Sequence, residues 1–393
     1  MGALISTTVG VIVAVGVLAA FFTGCNLAVN RMSQRWDDRI RPWVFVGPAM
    51  LFLFIGLVVP ALRTIYLSFH GGRRGSGSWT LENYRTTLGD DRVISFSNIG
   101  NIFTSWLFIA SVAMVAIAAL AAWLSSRRLS GGGSAGLDFS APSSMLLITA
   151  AVICVLMAIF STLRGIIWNN LWWVAAVTGL STVLGLGLAV LADRSRKETA
   201  AKTLIFMPMA ISMVGAAIIW SYMYNIPVRG QSPGLLNEVL SWFGVKPVDF
   251  LRDNDIIPWN NFFIMIIMIW IQTGFAMVVL SAAIKSVPAE LTEAAQVDGA
   301  NDVQVFWRIT VPQIVPTIVV VVTTTAVTVM KIFDLVKATT NGNFGTDVLA
   351  NRMYDNLRDG NFTLSSTFAV IILVLVMPVM IFNFRRGQKE VAR

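Results

Sequence analysis

Nine stretches of this chain are apolar for about the length a helix needs to cross a bilayer: residues 3–24, 43–67, 103–124, 145–163, 171–191, 203–223, 262–284, 317–336 and 367–384. A hydrocarbon core about 30 Å thick takes roughly 20 residues of α-helix. Inside it, backbone N–H and C=O groups must be bonded within the segment that carries them. The fold class this predicts is an all-α polytopic membrane protein with about nine transmembrane helices. Pro48, Pro60, Pro208 and Pro378 fall inside these stretches, which membrane helices tolerate because neighbouring groups satisfy the freed backbone. Only 13% of residues are charged and 56% are hydrophobic, where a soluble domain carries about 25% charged residues. That balance excludes a disordered chain, a nucleic-acid-binding arm and an ordinary cytosolic enzyme. The net charge of +8 reads as loop charge facing an anionic membrane surface, not as a nucleic-acid face.

Orientation follows from Lys and Arg beside the spans. Dense clusters lie at Arg31, Arg35, Arg39 and Arg41, at Arg194, Arg196, Lys197 and Lys202, and at Arg385, Arg386, Lys389 and Arg393. Arg127, Arg128, Lys285 and Arg308 fall on the same side of a nine-span chain. This predicts an N-terminus outside and a C-terminus in the cytoplasm. Phe22-Thr23-Gly24-Cys25 has a faint likeness to a lipoprotein cleavage site. No basic residue precedes the apolar run, so an uncleaved span is expected.

Motifs that would carry bond chemistry are missing or out of context. Cys25 and Cys154 are the only cysteines and sit in apolar stretches, so no disulfide framework or metal site is expected. The sole histidine, His70, cannot build a triad or a zinc site by itself. Gly131, Gly133 and Gly136 have G-x-G-x-x-G spacing within a Gly/Ser-rich inner loop, but no strand precedes them, so they read as linker. No G-x-x-x-x-G-K-[ST] loop is present, so no cofactor and no ATP site is expected on this chain. In the outer segment 224–261, Leu235, Leu236, Val239, Leu240 and Phe243 recur at helical spacing and predict a short amphipathic helix.

The most informative segment is 285–316, KSVPAELTEAAQVDGANDVQVFWRITVPQIVP. Pro288 can open a helix, and Ala289, Glu290, Leu291, Glu293, Ala294 and Ala295 favour it. Asp298-Gly299 should end it. A second helical stretch carries Val303, Phe306 and Trp307 along one side, and Pro312 leads into the next span. The expected object is a helix–turn–helix cap with an apolar side and an acidic tip, shaped to dock into another protein. Glu293-Ala294-Ala295, then three residues, Gly299, nine residues, and Ile309-Thr310-Val311-Pro312 resemble the EAA loop of type I ABC importer membrane subunits. Val311 stands where that family has Leu. Flanking runs at Leu81-Glu82-Asn83-Tyr84, at Gln272-Thr273-Gly274-Phe275-Ala276-Met277, at Thr340-Asn341-Gly342 and from Gly345 to Ala350 resemble the sugar-importing branch, near maltose and α-glucoside permeases.

The resemblance implies a six-span core, here with an extra N-terminal span at 1–29 and two inserted spans at 102–168, the rest of the core lying at 30–101 and 169–393. It implies a bacterial inner-membrane permease partnered by a second homologous permease subunit, two ATP-binding subunits that hold ATP and Mg, and an extracytoplasmic sugar-binding protein. The expected cargo is a sugar such as maltose, a maltodextrin or trehalose. Glu290, Glu293, Ala294, Ala295, Asp298, Gly299, Ile309 and Pro312 are the expected ATPase-coupling residues. Expected substrate positions are Met209, Ser212 and Met213 near Pro208, Gln272 and Thr273 where Gly274 permits local unwinding, and Thr324, Thr325 and Thr328. Lys331 and Asp334, three residues apart in the eighth stretch, are also expected substrate positions, sharing one helix face in its outer third and lining the outer end of the path, with anchoring at the outer interface as the alternative. Beside a permease for a non-sugar solute, two rival classes have their own signatures. An ion-coupled secondary transporter would show inverted repeats and mid-membrane carboxylates, and a membrane enzyme would need a cluster of His, Cys or paired acids.

Overall fold

A computed structural model describes residues 16, 20, 22–24, 34–96, 99–129, 142–226, 234–252 and 259–391. Most of the first expected span, Cys25, and Gly131, Gly133 and Gly136 lie outside the described residues. The chain divides into two compact units, Met1–Leu67 and Ser68–Arg393. The apolar helix Pro42–Ser68 (α1) runs to the end of the first and contains a π-turn at Phe54–Val58.

Among its described residues the regular structure of the second unit is helical, apart from one isolated bridge between His70 and Trp79. Its main helices are α2 (Trp106–Leu129), α3 (Pro142–Thr162), α4 (Ile166–Asp193), α5 (Glu198–Phe206), α6 (Met213–Met223), α7 (Leu235–Trp242), α8 (Trp259–Lys285), α9 (Ala289–Val297), α10 (Asp302–Met330), α11 (Asp334–Thr339), α12 (Leu349–Arg358) and α13 (Phe362–Val391). Among the described residues five helices, α1, α4, α8, α10 and α13, are long and apolar enough to span a membrane, or six if α5 and α6 form one bent span. The apolar parts of α2 and α3 are shorter, at Trp106–Ala121 and Leu146–Thr162. The fold is thus the expected polytopic α-helical one, with five, or six counting the bent pair, of the nine expected spans present among the described residues.

Helix α8 is the axis of the unit. Ile264, Met265, Ile267, Met268 and Met277 on it are almost wholly buried against α4, α10, α5 and α6. Where lipid is as apolar as the side chains, packing depends on close backbone approach. Gly274 provides it. A Cβ there would lie 2.7 Å from the Ile205 carbonyl oxygen of α5. The helix is continuous through this glycine, so Gly274 marks a contact and not the local unwinding expected from the sequence.

Two more expectations are corrected. The stretch 203–223 is not one straight span: α5 continues through a 3₁₀ turn, Met207–Ala210, and α6 departs at 100°. Pro208 lacks the donor that a continuing helix needs, Ile211 is extended, and Ser212 starts α6 by accepting from the Gly215 N–H at 3.1 Å. The stretch 317–336 also breaks. α10 closes at Lys331, and α11 restarts after Phe333 with a backbone φ of −141°. Lys331 and Asp334 therefore belong to different helices and do not share a face. The predicted outer helix is present as α7, seated on the core through Leu236 and Leu240.

Candidate coupling and translocation site

The segment 285–316 folds into a hairpin of helices at the C-terminal end of α8. Pro288 caps α9 with an extended ψ of 131°. Asp298 ends it, and Gly299 follows at φ +86°. The Gly299 N–H donates to the Gln296 carbonyl at 3.0 Å, and the Ala300 N–H donates to the Ala295 carbonyl at 2.9 Å. These two bonds are a Schellman closure, which needs a left-handed residue at that point. A second helix begins at once. Asn301 and Gln304 bond each other's backbone N–H at 2.9 Å, a capping box that fixes the start of α10.

The hairpin presents unsatisfied apolar surface. Val297 is 87% exposed, Val303 65% and Trp307 60%. Glu290, Glu293, Asp298 and Asp302 of the same hairpin are exposed as well. Ala294 is also exposed, Ala295 and Ile309 are half-buried, and Pro312 is exposed within the first turn of the stretch that follows a π-turn at Phe306–Thr310. Contiguous apolar surface rimmed by charge marks a protein interface.

The hairpin is tied to the adjoining ends of α4, α5 and α8. Arg194, just past α4, pairs with Asp302 at 3.3 Å. Lys202 on α5 pairs with Asp193 at 2.5 Å and with Glu198 at 2.6 Å. Glu198 also meets Lys285 at the end of α8, while the Ser281 hydroxyl donates to Asp193 at 2.7 Å. A cavity of about 290 Å³, lined by Asp193, Gln296, Asp302 and Phe306 among others, lies behind the hairpin. The positive-side count read Arg194, Lys202 and Lys285 only as loop charge. It missed the acids Asp193 and Glu198, although the Glu198–Lys202 spacing is a helical ion-pair signal.

The expected substrate residues separate into two sets. Gln272, Thr273 and Thr325 are buried inside the helix bundle, and the hydroxyls of Thr273 and Thr325 have no hydrogen-bond partner among the described residues. Thr324, Thr328, Lys331 and Asp334 are exposed, as are Met209 and Ser212. Met213 is half-buried. The structure does not bring the two sets into one pocket. Thr328 donates to the Thr324 carbonyl at 2.9 Å, so its hydroxyl is already occupied. Lys337 on α11, and not Lys331, holds an acid, pairing with Asp355 at 2.6 Å.

A polar clamp at the other end of the bundle was not read from the sequence. Trp168-Asn169-Asn170 opens α4, and Trp259-Asn260-Asn261 opens α8. Asn170 donates to the Met330 carbonyl at 3.1 Å and accepts from the Leu349 N–H at 2.8 Å. Asn169 donates to the carbonyls of Gly345 and Asp347 at 2.7 and 3.0 Å. Asn260 donates to the Phe344 carbonyl at 2.8 Å. The recurrence of one tripeptide at the start of two apolar runs was the available signal.

The profile of the family described as binding-protein-dependent transport system inner membrane component matches residues 181–389, which include the hairpin and the bundle around α8. This chain belongs to that family. It is 36% identical to the alpha-glucoside transport system permease protein AglF of Rhizobium meliloti, over 99% of each chain. It is 50% identical to the osmoprotective compounds uptake permease protein GgtC of Synechocystis sp., over 56% of this chain and 79% of that one. A crystal structure of a bacterial ABC transporter for import of the acidic polysaccharide alginate superposes with a TM-score of 0.58 at 20% identity, covering 91% of this chain and 99% of that one, and so shares the fold. The family makes this chain a multi-helix inner-membrane component of a binding-protein-dependent transporter.

Proposed function

We propose that this permease carries an α-glucoside, such as maltose, a maltodextrin or trehalose, across the inner membrane, driven by ATP hydrolysis on partner chains. The relative matched from end to end is named for alpha-glucoside transport, which supports the cargo. The observation that carries the coupling is the exposed, acid-edged hairpin with its left-handed Gly299. Two ATP-binding subunits holding ATP and Mg dock on that patch from the cytoplasm, so the N-terminus lies outside and the C-terminus inside. A second permease subunit completes the path, and an extracytoplasmic binding protein delivers the sugar.

Within this reading, Glu293 and its neighbours Glu290 and Asp298 offer carboxylates to basic groups of the ATPase, and the hairpin moves when the ATPases close. Thr324, Thr328, Lys331 and Asp334 face the second subunit and line the path. A lysine and an aspartate at that depth are costly against lipid and belong to a cavity or partner. The buried Gln272, Thr273 and Thr325 hold the helices behind that lining. No step on this chain makes or breaks a bond.

A second reading has its own support. The higher identity to GgtC, 50% over the core, favours an osmoprotective compound as cargo. The test is ATP-dependent uptake into proteoliposomes containing the assembled complex and its binding protein, with labelled α-glucosides and compatible solutes offered in parallel. Uptake of α-glucosides alone supports the first reading, and uptake of compatible solutes alone selects the second. Uptake that follows an ion gradient without ATP rejects both.

A further inference from the structure

At the end of the bundle away from the hairpin, a recess of about 280 Å³ is lined by Asp91, Arg92, Arg164, Asp347 and Arg352, with backbone from Gly165, Gly342 and Gly345. Its charges are not balanced within the chain. Arg352 is held by Asp347 at 3.1 Å. Asp347 also accepts from the Asn351 amide at 2.7 Å and the Val348 N–H at 3.0 Å. Arg164 and Arg92 have no ion pair and no side-chain hydrogen bond among the described residues. Arg164 is half-buried, and desolvation pulls its pKa below the ordinary arginine value. Arginine nonetheless stays charged. A partly desolvated guanidinium with five donors and no acceptor is costly unless something anionic covers it.

The position says which partner is near. Ile166 and Asp193 are the two ends of α4, 28 residues long, or about 40 Å at 1.5 Å per residue. Asp193 lies beside the hairpin, and Ile166 lines the recess. The recess therefore opens on the membrane face opposite the hairpin. On the proposed orientation, on which this inference rests, that is the face the binding protein approaches. We propose that Arg164 and Arg92 form a socket for a carboxylate side chain of the extracytoplasmic binding protein. Arginine's planar fork matches a carboxylate in two-point contact. The Asn169 clamp and the Asp347–Arg352 pair fix the loop 342–352 as one wall. Arg92 and Arg164 lie on the segment joined by the bonds of the Ile166 and Ile167 N–H groups to the Arg92 and Val93 carbonyls, so the two cations are held together. A charge pair of this kind steers docking and sets its salt dependence.

The experiment uses the complete complex in proteoliposomes, with the sugar-binding protein that stimulates its ATP hydrolysis. The concentration of binding protein giving half-maximal stimulation is measured at low and physiological salt for the wild type, Arg164→Met, Arg92→Met, the double variant and Arg164→Lys. The expected result is a rise of about tenfold or more in that concentration for the double variant, a flatter salt dependence, unchanged hydrolysis without binding protein, and partial recovery in Arg164→Lys. An unchanged half-maximal concentration overturns the proposal. So does a shift that disappears in vesicles of phosphatidylcholine alone, which would assign the socket to an anionic lipid headgroup. Where Arg164 variants fail to assemble, Arg92→Cys in a chain with Cys25 and Cys154 replaced by Ser gives the same answer. A cationic thiol reagent should restore docking and an anionic one weaken it, and equal effects of both reject the socket. A wild-type complex that no binding protein stimulates sinks the functional reading itself, a different failure from a stimulated complex indifferent to these arginines.

Discussion

Replacing Gly299 isolates the conformational demand of the hairpin from its contacts. The residue sits at φ +86°, and a Cβ built there meets nothing within 4 Å. The cost of substitution in the chain itself is therefore purely that of a left-handed backbone, about 1–2 kcal/mol for an ordinary L-residue and less for Asn. Through RT, that lowers the population of the closed hairpin relative to opened forms by about 5- to 30-fold. The two Schellman bonds at 3.0 and 2.9 Å are what the opened form gives up. Nothing in the core of α8 depends on them, so insertion and assembly should persist. The series Gly299→Asn, Gly299→Ala and Gly299→Val is assayed for uptake and ATP hydrolysis in the same proteoliposomes. Uptake per ATP should fall in that order, with Val worst because a β-branched residue resists positive φ most. Equal losses for Asn and Val, or full coupling in Val, would refute the backbone argument and point to side-chain bulk against the ATPase.

Other outcomes follow from the same geometry. Gly274→Leu places a side chain where even a Cβ is 2.7 Å from the Ile205 carbonyl, and should lower the thermal midpoint of the detergent-solubilised chain well below that of Gly274→Ala. Asn170→Ala orphans the Met330 carbonyl and the Leu349 N–H, at about 1–3 kcal/mol for each buried group left unpaired, read as faster amide exchange at 330–349. Burial raises the Asp347 carboxyl above its ordinary value, so its folded form favours the proton. Stability of the 342–352 wall should be greatest below the unfolded carboxylate pKa and fall as pH rises through the raised one, and Asp347→Asn should flatten that slope in a pH series of thermal midpoints. Lys331→Met with Asp334→Asn should abolish uptake in a complex that still assembles, and full uptake would leave the two charges outside the path.

What could be read from the sequence was governed by range. Helices over long apolar runs are dictated by the lipid itself, so α4, α8 and α13 appear where hydropathy puts them. The hairpin was legible because its signals are local: Pro288 before α9, Gly299 after it and the fixed distances to Ile309 and Pro312. The breaks were not. Hydropathy runs unbroken through Pro208-Met209-Ala210-Ile211, and at Met330-Lys331-Ile332-Phe333 one lysine is all that interrupts it, yet each is a place where the chain turns. Whether such a run continues depends on what satisfies the freed backbone groups, as the Asn170 amide does by donating to the Met330 carbonyl, and Asn170 is 160 residues away. The separation of Thr325 from Thr324 and Thr328 has the same origin. All three are threonines on one helix, and only the neighbours α4 and α8 decide which of them is enclosed.

The turn at Gly299 is followed within three residues by α10, which is 29 residues long and runs without a loop to Lys331. That is a rod of about 43 Å at 1.5 Å per residue. Its near end is gripped at Asp302 by Arg194, and its far end is pinned at Met330 by Asn170. A tilt of about 5° about the near end would carry the far end about 4 Å on that length, enough to break a hydrogen bond at Met330. On the proposed coupling, a displacement of the hairpin would therefore reach the far end of this rod as the yielding of the bond between the Asn170 amide and the Met330 carbonyl.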